Sequence, residues 1–125
     1  MIETGIDIVD VSRVRQAVTR HGDRFLRKIF HPEEIAYCEA KARKYEHYAA
    51  RFAAKEACRK ALLSHVSYHP AWTDMYVVND PEGKPFLHLN EKIMKDLTIR
   101  YISVSLSHTQ TLATAIVFLE MGEER

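Results

Sequence analysis

The chain has 125 residues, 46% of them hydrophobic, which is enough for one well-filled core and too little chain for two. That composition excludes disorder and collagen-like repeats, and two cysteines are too few for a disulfide framework. A formal net charge of +1 gives no global pull toward nucleic acid.

The charge is nevertheless uneven. Residues 11–30 carry Arg13, Arg15, Arg20, Arg24, Arg27 and Lys28 against Asp23 alone, whereas residues 76–125 are net acidic. Such asymmetry fits either an acidic partner at the N-terminal third or long cations solvating a helix face. The first residues have neither the basic start nor the apolar stretch of a secretion signal, so a cytoplasmic protein is expected. The longest mostly apolar run, Leu112 to Leu119 with Thr114 inside it, is too short to span a bilayer, which takes roughly 20 residues.

In chain order, Ile6-Asp7-Ile8-Val9 predicts a strand in which Asp7 points away from Ile6 and Ile8. Val11, Val14 and Val18 then predict a helix to about His21, with Arg13 and Arg20 opposite the valines. Gly22 interrupts it, leaving Arg24 and Arg27 to a turn or short helix. His31-Pro32-Glu33-Glu34 opens another helix, with proline at the first position and glutamates at the positive end. Residues 47–63 form the strongest helical segment, free of Gly and Pro. Beyond a turn-like stretch containing Pro70, Tyr76–Val78 and Phe86–Leu89 flank a hairpin loop at residues 79–85. A short helix near Glu91–Leu97 precedes strands at Ile99–Leu106 and Leu112–Leu119, with Ser107–Thr111 as the turn. The expected fold class is α+β, one domain over residues 1–125, with helices packed on a late antiparallel sheet that the first strand joins.

Three positions invite chemistry. Asp7 lies among β-branched residues, so either its strand face is wet or its charge is matched by a cation or hydrogen bonds. Phe52, Glu56 and Lys60 fall at i, i+4 and i+8, a spacing that also makes Glu56–Lys60 an ordinary surface ion pair. Arg51 and Lys55 on the same helix suit either a phosphate site or solvation. Ser107, His108 and Thr109 share one turn and could grip a phosphate or simply cap the turn. The histidines and cysteines show no zinc spacing, and the glycine-rich phosphate loops, the dinucleotide fingerprint and the G-x-S-x-G elbow are absent from the sequence. What remains is an oxygen-ligand metal site beside cationic phosphate contacts.

Gly5-Ile6-Asp7-Ile8-Val9, Arg51-Phe52-Ala53-Ala54-Lys55-Glu56-Ala57, the Gly83-Lys84-Pro85 loop and Ser105-Leu106-Ser107-His108-Thr109 occur in that order. As a set they resemble the short holo-acyl carrier protein synthases, a branch of the 4'-phosphopantetheinyl transferase superfamily, along almost the whole chain. The resemblance implies that family's fold and the transfer of phosphopantetheine from coenzyme A to a carrier-protein serine, releasing adenosine 3',5'-bisphosphate. It makes Asp7 and Glu56 ligands of a Mg²⁺ ion, with Lys60 a third catalytic position that contacts phosphate. By the same likeness Arg51, Lys84, His108 and Thr109 contact the nucleotide part of coenzyme A. Arg13, Arg20 and Arg24 fall where the family docks an acidic acyl carrier protein, and a homotrimer with shared sites is implied.

One segment departs from the family. After Lys60 the usual aromatic and glycine-rich turn is replaced by Ala61 to His69 without a glycine, which bears on the coenzyme A pose. The alternatives to an enzyme are a carrier-binding module of the same fold that has lost transfer, and an RNA-binding domain. The latter lacks an aromatic-studded strand.

Overall fold

The computed structural model describes residues 1–122; the expected domain boundary at 125 lies outside them. Strand β1 (Ile2–Asp10) leads directly into helix α1 (Val11–His21), and Gly22, with φ of 57°, turns the chain into α2 (Asp23–Ile29). Helix α3 (Pro32–Glu39) starts on a reciprocal cap. The Glu33 N–H donates to His31 Nδ1 (3.1 Å), and the His31 N–H donates to Glu34 Oε1 (3.0 Å). The long helix α4 (Lys44–Leu62) starts three residues earlier than its sequence pattern predicts. A 3-10 turn at Trp72–Asp74 precedes the hairpin of β2 (Met75–Asn79) and β3 (Pro85–Leu89). Helix α5 (Glu91–Asp96), capped by Asn90, and the strands β4 (Ile99–His108) and β5 (Leu112–Met121) complete the chain.

The α+β class holds, with one correction to the expected sheet. β1, β5 and β4 form an antiparallel sheet in that order, while β2 and β3 form a separate two-stranded sheet. Local patterning predicts strands but not which edges pair. His108 also closes β4 rather than standing in the turn, which shortens to residues 109–111.

Helix α4 is the centre of the fold. Its alanines Ala49, Ala50, Ala53, Ala54, Ala57 and Ala61 are all buried, and small side chains let a helix lie close to a sheet. The closest approach is at Gly5, where an added Cβ would stand 1.8 Å from the Ala57 carbonyl oxygen. Only glycine fits there. This contact dictates which face of β1 turns inward. Gly5, Asp7 and Val9 face α4, while Ile6 and Ile8 are 62% and 64% exposed on the outer face. The strand is therefore reversed relative to an ordinary amphipathic one, and the carboxylate lies on the protein side.

Candidate active site

Two residues beyond the Gly5 contact, Asp7 arrives beside the C-terminal half of α4. Lys60 meets it there: its Nζ donates to Asp7 Oδ1 at 3.0 Å and to the Ile6 carbonyl at 2.9 Å. The spacing of Glu56 and Lys60 suggests a surface pair, but Lys60 bridges from helix to strand instead. Glu56, one turn earlier, is half-buried and has no basic side chain within ion-pair distance among the described residues. Asp7 and Glu56 line the same cleft, of about 450 Å³, together with Arg13, Val14, Phe25 and Phe52. Residues 49 positions apart in sequence thus converge because a glycine lets strand and helix touch.

On its other side Glu56 opens onto a second cavity, of about 240 Å³, shared with Arg59, Lys60, Leu62, Leu63, Val66, Tyr68 and Pro70. The segment that replaces the glycine-rich turn forms its wall. The segment thus leaves open space beside the carboxylate.

Arg13, Arg20 and Arg24 are all exposed on α1 and α2, and none has an acidic partner among the described residues. Arg13 is the link between this basic surface and the carboxylates, because it lines their cleft. Thr109 and Lys84 are exposed, and the Lys84 ammonium lies 5.5 Å from the Phe86 ring centroid. His108 Nδ1 lies 2.9 Å from Glu46 Oε1, and its ring meets His47 edge-on at 5.1 Å. Burial, with His108, Arg51 and Lys41 nearby, pulls the His47 imidazole below its usual pKa, against the opposing pull of Glu46. These groups sit beside a cleft of about 520 Å³ lined by Arg15, Arg43, Lys44, Tyr45 and Gln110.

Arg51 and Lys55 stand where spacing alone cannot place them. Arg51 is 2% exposed; its guanidinium donates to Asn79 Oδ1 and, at 3.4 Å, to the His47 carbonyl, and its plane covers the Tyr37 ring. Its Nε has no hydrogen-bond partner among the described residues. Lys55 is neither solvated nor open to a phosphate. It is fully buried against Glu34, Nζ to Oε1 2.7 Å, and also donates to the carbonyls of Trp72 (3.0 Å) and Met75 (2.6 Å). Burial pulls the ammonium below its usual pKa, and the Glu34 carboxylate opposes that pull. The reading from sequence missed this pair. A clue was present, since Lys55 sits among Tyr48, Cys58 and Leu62 on the helical wheel.

Both thiols are fully buried. Burial pushes both Cys38 and Cys58 up to about 12.

Residues 3–117 match the model of the 4'-phosphopantetheinyl transferase superfamily. The holo-[acyl-carrier-protein] synthase of Solibacter usitatus is 42% identical over 96% of this chain and 98% of its own. That of Geobacter sulfurreducens is 46% identical over 94% and 95%. The crystal structure of the Helicobacter pylori synthase in complex with coenzyme A superposes with a TM-score of 0.84 at 33% identity, covering 96% of this chain and 100% of that one. The chain belongs to the 4'-phosphopantetheinyl transferase superfamily, within its holo-[acyl-carrier-protein] synthases.

Proposed function

We propose that this chain transfers 4'-phosphopantetheine from coenzyme A to a serine of an acidic apo-acyl carrier protein, with Mg²⁺, releasing adenosine 3',5'-bisphosphate. The observation that carries the reading is the convergence of Asp7 and Glu56 on one cleft, with Lys60 at its edge. The donor set suits magnesium. Two carboxylates suffice for an ion that keeps waters and shares phosphate oxygens, and no larger set of His, Cys, Asp or Glu converges among the described residues. When bound, the ion supplies charge neutralisation on the transferred and leaving phosphates.

The chain's own residues do the rest. Asp7 and Glu56, which line one cleft, would hold the ion. Lys60 carries a half-exposed ammonium, so it can turn from Asp7 toward a phosphate oxygen and stabilise the leaving bisphosphate. The serine oxygen forms the new bond to the phosphorus that bears pantetheine, and the bond from that phosphorus to the nucleotide phosphate breaks. Glu56, which lacks a basic partner among the described residues, accepts the serine proton. His108, Thr109, Lys84 and Arg51 are assigned to the nucleotide end, Arg51 by bracing Asn79 at the hairpin. The cavity beside Glu56 offers room for the pantetheine arm.

Carrier docking falls to Arg13, Arg20 and Arg24, whose free charge speeds encounter with an acidic partner. Self-association as a homotrimer is supported by the outer face of the three-stranded sheet, where Ile2, Ile6, Ile8, Tyr101, Leu112 and Ile116 are exposed together. Localisation in the cytoplasm accords with a chain in which no described helix is long and apolar enough to cross a membrane.

Incubation with apo-carrier protein, coenzyme A and Mg²⁺, followed by intact-mass spectrometry, tests the reading. The carrier should gain the phosphopantetheine mass, and chelation of the metal should stop the gain. Carrier binding without transfer would establish the non-catalytic module instead.

A further inference from the structure

Helix α4 carries two parallel stripes, one residue apart and therefore about 100° apart around the axis. Phe52 and Glu56 line the carboxylate cleft, and Lys60 reaches Asp7 beside it. Arg51, Lys55 and Arg59 all reach a single stretch of chain, residues 70–79. Arg59 Nη2 donates to the Pro70 carbonyl at 2.7 Å, with its Cζ 3.5 Å from the Trp72 ring centroid. Lys55 takes the carbonyls of Trp72 and Met75, and Arg51 takes Asn79.

Lys55 is the most constrained of the three. Its ammonium has three donors, and all three are used, on Glu34, Trp72 and Met75. Glu34 is equally occupied, accepting from the Val77 N–H at 2.9 Å and the His31 N–H at 3.0 Å. The pair therefore ties α3, α4 and the start of β2 together at one point. Well-packed apolar side chains of similar volume would stabilise such a site at least as well. What the ammonium adds is direction: partners from α3 and from the segment entering β2 converge on one point of α4.

We propose that Lys55, held by Glu34, is a positioning residue for the transfer reaction, setting the rotation of α4 so that the adjoining Glu56 faces Asp7. This inference rests on the reading of Asp7 and Glu56 as the metal ligands. A lysine placed this way acts through Glu56 and touches neither phosphate nor carrier. Its removal should loosen the metal site while leaving the carrier surface on α1 and α2 intact.

The test is the paired variant Glu34→Met/Lys55→Met, which leaves no unpaired buried charge, assayed beside the unmodified chain. The Mg²⁺ concentration at half-maximal rate should rise about tenfold or more and kcat should fall about tenfold or more, as for other groups that orient metal ligands. KM for the carrier should stay within about twofold, because its docking residues are untouched. A folded double variant with unchanged Mg²⁺ half-saturation and kcat overturns the proposal. A second measurement needs no variant. Adding Mg²⁺ to the coenzyme A-saturated chain should slow hydrogen exchange of the His31 and Val77 amides about fivefold or more, since coupling is reciprocal. Unchanged exchange there overturns the proposal as well. If the unmodified chain neither binds Mg²⁺ nor transfers the arm, the functional reading fails instead, and the two failures are distinct.

Discussion

Two carboxylate–lysine pairs hang from α4, five residues apart on the helix and nearly equal in length, yet their surroundings are opposite. Glu34 and Lys55 meet at 2.7 Å with both side chains 0% exposed, while Asp7 and Lys60 meet at 3.0 Å with exposures of 16% and 54%. Water decides the difference. A sealed pair must stay paired, because an isolated buried charge is prohibitively costly. A pair with one partner in solvent gains little from its Coulomb attraction, so an arriving ion or phosphate can part it. The same two side-chain types thus serve as a fixed joint in one place and an exchangeable contact in the other.

Substitutions can break this contrast. Lys55→Met alone strands Glu34 in the core and should cost about 3–5 kcal/mol. A chain of this size then loses on the order of 10–20 °C in Tm, readable by circular dichroism. Lys60→Met should change stability by less than about 1 kcal/mol, yet slow transfer about 100-fold through loss of a cation at the developing charge. If both lysines gave equal stability losses, burial would not be what separates them.

A subtler effect belongs to His47. Its folded-state pKa lies below the ordinary value because it is partly buried and close to His108, Arg51 and Lys41. As pH falls below about 6.5 the unfolded chain takes up the proton first, so this group's contribution to stability is complete above that pH and declines below it. Replacing it, as in His47→Gln, should flatten the fall in urea midpoint between about pH 7 and pH 5. An unchanged slope would remove His47 from the pH response.

Much of this molecule is legible from its residues. The helical stretch around Glu56, the hairpin and the late strands follow from periodicity, and the start of α3 from Pro32 and the glutamates that follow. The family motifs mark Asp7, Glu56 and Lys60 before any contact is known. Three things lay beyond local pattern. The outward turn of Ile6 and Ile8 is imposed by the Gly5 contact with Ala57, which no run of nine residues encodes. The separation of β2–β3 from the main sheet is a matter of which distant strands pair. The burial of Lys55 depends on Glu34 in another helix and on two carbonyls from a third segment. Each is a long-range event, whereas sequence periodicity reports only on near neighbours.

Calorimetric titration of Mg²⁺ into the chain saturated with coenzyme A bears most directly on whether Asp7 and Glu56 share one ion. The unmodified chain should bind a single Mg²⁺, and Asp7→Asn and Glu56→Gln should each weaken it about 100-fold or more, with the double variant little worse than either. Binding of undiminished affinity in either single variant would contradict the shared site.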